Sequence, residues 1–131
     1  KYLRTRGFDG DGALYQVTEL FDWLPHEDSI LEATDPSYDK ERFEQYLEID
    51  GSEEHDAIVK LLKAVNDEEL PVSDIVEQYF DADNLFYWMA FHILLGNSDV
   101  LDGNYYLYNA RGQDRWYFIS WNNSGILGAG L

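Results

Sequence analysis

Four polar residues crowd the region around position 100: Asn97, Asp99, Asp102 and Asn104 fall within eight positions of a 131-residue chain. Asp99 and Asn104 are five residues apart, with Gly103 between them. Phosphoryl transfer uses such a set. A carboxylate accepts the proton of an attacking hydroxyl, an amide oxygen nearby holds a divalent cation, and a second metal ligand comes from the end of a following strand. Here the place after the strand-like WYFISW holds Asn122. The competing reading is a loop whose Asp and Asn side chains bond their own backbone. For Asp102 that turn-shaping reading is preferred to metal binding. Ser98 has no histidine within the loop, which argues against a serine hydrolase.

A loop of this kind needs a rigid support on either side. Upstream, Asn84 to Leu95 contains no charged residue, and the pattern predicts a helix that is apolar on nearly every side and therefore buried in the core. Asp81 or Asp83 can cap its start, and Gly96 can end it in a left-handed conformation. His92 on this helix is read as a core histidine with its hydrogen bonds satisfied. Downstream, Tyr105 to Tyr108 and Arg115 to Trp121 are two aromatic runs separated by NARGQD, a hairpin signature. Their aromatic residues are read as core in preference to a carbohydrate-binding platform.

The rest of the chain predicts helices that surround the Asn84 to Leu95 helix. FDGDG is a turn, and its Asp9 and Asp11 do not make a calcium loop, because the twelfth position would be Leu20 where a glutamate is required. ALYQVTE follows as a strand. Leu20 to Tyr38 is irregular, with Pro25 and Pro36. Helices are predicted over Asp39 to Leu47, from a cap at Ser52 through Val65, and from a cap at Ser73 through Phe80. His26, His55 and His92 lie on three separate elements and give no zinc-site spacing.

Composition narrows the function classes. There are 26 acidic and nine basic residues, for a formal charge of -17, and from Tyr105 onward the only acid is Asp114. A field of that sign repels phosphate backbones and anionic lipid surfaces, which argues against nucleic-acid binding. No apolar run reaches the ~18 residues of a transmembrane helix, so no membrane insertion is expected in this segment. With no cysteine, thiolate metal sites, cysteine nucleophiles and disulfides are excluded. The start at Lys1 suggests an excised piece of a longer protein.

The run LLGNSDVLDGNYYLY, followed after a turn by RWYFISWNNSG, resembles the signature of the CotH kinase family of spore-coat and secreted proteins. That signature reads approximately LLxNxDxxxxNYYLY and then KWYFIPWDxD. ALYQVTE resembles a family strand as well. The resemblance implies an atypical protein-kinase-like fold, here its C-lobe: an α+β, mostly helical, single partial domain with a β-hairpin after the catalytic-type loop and the upstream lobe absent. It implies Asp99 as catalytic base, Asn104 and Asn122 as metal ligands, and Asn97, with Asp102, as loop-ordering residues. It further implies ATP with Mg2+ or Mn2+, a protein substrate or a coat or surface protein as partner, and an extracellular, cell-surface or spore-coat location. Three positions depart from the family pattern: Asn122 replaces an aspartate, Ser120 a proline, and Gln16 a lysine. The alternative implied by these departures is a non-catalytic, pseudokinase-like interaction module.

Overall fold

ALYQV, YYLYN and WYFIS, rich in aromatic and aliphatic residues, make strands with two distinct faces. A computed structural model describes residues 2–5, 7–17, 30–44, 48–50, 55–98, 100, 103–121, 123 and 125–127. In chain order the elements are α1 (Tyr2–Thr5), β1 (Ala13–Val17), α2 (Lys40–Glu44), β2 (Glu48–Asp50), α3 (Asp56–Val65), α4 (Val72–Tyr79), α5 (Ala82–Leu94), β3 (Tyr105–Asn109) and β4 (Trp116–Ser120). The strands form one antiparallel sheet in the order β2-β1-β3-β4. The fold class is α+β, as the sequence predicts. Among the described residues no helix is long and apolar enough to cross a membrane.

One sheet face carries the main core. Tyr15, Leu107, Trp116 and Phe118 meet Ile58, Leu61 and Leu62 of α3, with Phe43, Ile75 and Phe80 closing the edges. The periodic stripe of α3 is what a helix needs to lie on a sheet. Residues of opposite parity, Leu14, Tyr108 and Ile119, form a smaller cluster on the other face, which Leu3 and Phe8 help to cover. Phe8 lies 4.8 Å from the Tyr108 ring centroid and 5.6 Å from that of Tyr117. Gly12 is required here: a Cβ would sit 2.4 Å from the Asn109 carbonyl oxygen and 2.6 Å from the Tyr108 ring.

The main core holds one chain of buried polar groups. The Tyr15 hydroxyl donates to His55 Nδ1 (3.1 Å), and His55 Nε2–H donates to Glu44 Oε1 (3.0 Å). The imidazole also stacks on Phe43, with centroids 4.6 Å apart. His55 thus ties β1 to α2 without forming a metal site.

Several expected boundaries shift for local reasons. The first residues form the short α1, which the sequence does not predict, and the expected turn at FDGDG follows it. α2 is described over Lys40–Glu44, the rest of the expected helix to Leu47 lies outside the described residues, and β2 then pairs with β1. α3 begins at Asp56 after His55, while the expected cap Ser52 lies outside the described residues. α4 starts after Pro71, whose fixed φ of -61° suits the entry to a helix, so Ser73 is inside the helix and caps nothing.

The largest correction concerns α5. It forms where expected, and Asp81 caps it by accepting from the Asn84 N–H at 2.9 Å, but the core does not surround it. Only His92 is buried; Leu85 and Trp88 are half-buried against the core. Tyr87 is 78 % exposed, Ile93 75 % and Leu94 83 %. A charge-free helix satisfies the periodicity argument from any side, and here a single stripe meets the sheet.

That stripe begins with an amide clamp. β4 is an edge strand, and the Asn84 side chain bonds both polar groups of one of its residues: Oδ1 accepts from the Phe118 N–H (2.7 Å) and Nδ2 donates to the Phe118 carbonyl (3.1 Å). The Asp81 N–H donates to the Trp116 carbonyl at 3.1 Å and Arg115 Nη1 to the Phe80 carbonyl at 2.9 Å. Removing the amide leaves a half-buried strand N–H and C=O unpaired. Asn84→Ala is expected to lose about 2 kcal/mol in urea unfolding, and Asn84→Asp less, because it keeps the acceptor.

Candidate functional site

The loop leaves α5 through a complete Schellman turn. Gly96 takes φ +64°, its N–H donates to the Ile93 carbonyl (3.2 Å), and the Asn97 N–H donates to the His92 carbonyl (2.9 Å). Glycine adopts this conformation without the steric penalty of a side chain, as the sequence suggested. The Asn97 side chain then turns back under the helix, where Nδ2 donates to His92 Nδ1 at 3.0 Å. The other ring nitrogen, Nε2–H, donates to Ser120 Oγ at 3.0 Å. His92 and Asn97 are each 3 % exposed. Val100 anchors the middle of the loop in the main core.

The loop re-enters the sheet through two residues with positive φ, Gly103 (+113°) and Asn104 (+63°). Asparagine is one of the few side chains that tolerate the left-handed region. Tyr105 then pairs with Ser120 in the hairpin register. Asn104 and Trp121 therefore flank the same end of β3 and β4. After β4 the chain returns to α5, with the Leu127 N–H donating to the Leu95 carbonyl at 2.8 Å.

Of the residues singled out from the sequence, Asn97 and Asn104 lie at this end of the sheet. Asp99, Asp102, Asn122 and Ser124 fall outside the described residues. Asn97 bonds back to the end of α5 through its N–H and its side chain. The core reading of the hairpin aromatics holds for Tyr105, Tyr108, Trp116 and Phe118, whereas Trp121 is 52 % exposed. Asp9 behaves as a turn residue, its Oδ1 accepting from the Asp11 N–H at 3.1 Å, and Asp11 pairs with Arg4 at 3.6 Å. Among the described residues no three His, Asp or Glu side chains are grouped as a metal site.

The sequence marked His92 as a satisfied core histidine, and it is one, but its partners were not foreseen. The signal is the spacing from His92 to Asn97, one helical turn carried across the glycine. Ser120 supplies the other partner, and the proline that the family pattern has there could not. Two polar atoms in this neighbourhood, Asn97 Oδ1 and Trp88 Nε1, are buried and have no hydrogen-bond partner among the described residues. Trp88 packs edge-on against His92 and Tyr105, at 4.8 and 5.2 Å between centroids.

A family model described as CotH kinase protein matches residues 1–129. The chain belongs to the CotH kinase family. A search of the curated proteins found no match. Membership makes this a kinase-like chain, and the loop and hairpin just described coincide with the stretch that resembles the CotH signature.

Two measurements test the local chemistry. Burial pushes the His92 imidazole below its ordinary value, so the unfolded chain takes up a proton before the folded one. Stability is then retained above about pH 6.5 and lost as pH falls through that value. The melting temperature between pH 7 and 5.5 should drop less steeply in His92→Gln than in the wild type. For Asn104, both Ala and Gly remove the side chain, so their difference reports the backbone. Asn104→Gly is expected to be more stable than Asn104→Ala by about 1 kcal/mol in urea unfolding.

Proposed function

We propose that this CotH chain is part of a protein phosphotransferase, with the loop from Asn97 to Asn104 as its catalytic loop and the hairpin as its metal-bearing strand pair. The observation that carries this reading is the hairpin register, Tyr105 opposite Ser120, which sets Asn104 beside the strand end that leads in sequence to Asn122. On this reading the chain corresponds to the C-lobe of a protein kinase.

Asp99 would accept the proton of a protein hydroxyl as its oxygen attacks the γ-phosphorus of ATP. The new O–P bond forms, the bond to the β–γ bridging oxygen breaks, and ADP leaves with the bonding pair. The amide oxygens of Asn104 and Asn122 are hard donors suited to Mg2+ or Mn2+. Such a cation, when bound, supplies charge for the phosphate oxygens. Asn97 orders the loop between them.

A second reading rests on Asn122. An amide in place of the family's aspartate keeps one oxygen donor and removes a negative charge beside the cation, which weakens affinity. A pseudokinase-like interaction module would keep the fold and tolerate that change.

The test is the thermal shift of the chain with Mn2+ and ATP together, beside Asn122→Asp. Metal-dependent stabilisation of the wild type supports the phosphotransferase, and phosphate transfer to a protein acceptor should then fall at least ~100-fold in Asp99→Asn. A response from the aspartate variant alone supports the interaction module. Silence in both overturns nucleotide binding by this chain.

A further inference from the structure

His92 touches two segments that are far apart in sequence and belong to opposite sides of the candidate site. One is the loop that carries Asp99, reached through Asn97; the other is the end of β4, reached through Ser120. We propose that His92 is a positioning residue that fixes this loop against the strand end through these two hydrogen bonds. The inference rests on the phosphotransfer reading for the purpose of the bridge, and on geometry alone for its existence.

A neutral imidazole has one donor and one acceptor. Both are used here, at 3.0 Å each, and by different segments. With Nδ1 accepting from Asn97, the ring proton must sit on Nε2, which is the atom that faces Ser120. The Asn97 amide thus sets the tautomer, the Ser120 hydroxyl, which can accept or donate, accepts from Nε2–H, and both bonds depend on the placement of one ring. Trp88 and Phe91 hold the ring edge-on, with centroids 4.8 and 5.1 Å away, and leave it little room to turn.

The bridge is tested without nucleotide by a double-mutant cycle in urea unfolding, combining Asn97→Ala with Ser120→Ala. These two side chains have no hydrogen bond to each other, so coupling must pass through the ring. A coupling of about three- to tenfold in the unfolding constant is expected, and it should vanish in a His92→Leu background. Additive effects in the wild-type background overturn the proposal. Should His92→Leu fail to fold, hydrogen exchange decides. Ser120→Ala should speed exchange at the amides of residues 97–100, and Ser120→Thr, which keeps the hydroxyl, should restore protection; unchanged exchange overturns the bridge.

Function is read separately. If the wild type responds to Mn2+ with ATP, Ser120→Ala should weaken that response several-fold and Ser120→Thr should recover it. An equal response in all three overturns the positioning role. If the wild type gives no response, the phosphotransfer reading fails, and the cycle alone judges the bridge.

Discussion

An edge strand turns half of its peptide groups outward, and those groups must be bonded by something other than a sister strand. In this chain the Asn84 amide takes the outward N–H and C=O of Phe118 together, and the backbone of Asp81 takes the carbonyl of Trp116. That single constraint fixes the rotation of α5 about its axis. Residues four apart on a helix share a face, so Asn84, Trp88 and His92 all look at the same strip of sheet. Asn84 clamps Phe118, Trp88 packs on Phe118 and Tyr105, and His92 reaches Ser120. The position of the loop that follows is a consequence of where the helix was pinned two turns earlier.

The two described histidines of the interior are built alike and serve different ends. Each uses both ring nitrogens in hydrogen bonds, and each joins elements remote in sequence. His55 connects Tyr15 to Glu44 within a core that α3 already holds closed. His92 connects groups in a region where apolar packing is thinner, since much of α5 faces away from the sheet. Hydrogen bonds there carry positional information that packing supplies elsewhere.

What the sequence made legible follows from the range of the forces involved. Gly96 as helix terminator, Asp81 as cap and the paired aromatic strands are all local signals, and each was readable from a few neighbouring residues. The family resemblance located the loop by its motif. Three things escaped. The short β2 depends on pairing with β1, and nothing in its own composition announces it. α5 is less buried than its apolar sequence predicts, because an absence of charge says that a helix can be buried and leaves open which sides are covered. The partners of His92 were invisible because Ser120 lies 28 positions away in sequence and meets the ring only once the sheet is formed.

The left-handed backbone at Asn104 has a consequence for how such chains change over generations. Substitution at that position is filtered first by conformation: glycine, asparagine and aspartate pass with little penalty, and other side chains do not. The turn alone would hold that position to glycine, asparagine or aspartate. Asparagine at 104 therefore speaks for the shape of the loop before it speaks for chemistry. A residue valued only for its charge, on regular backbone, passes through no such filter.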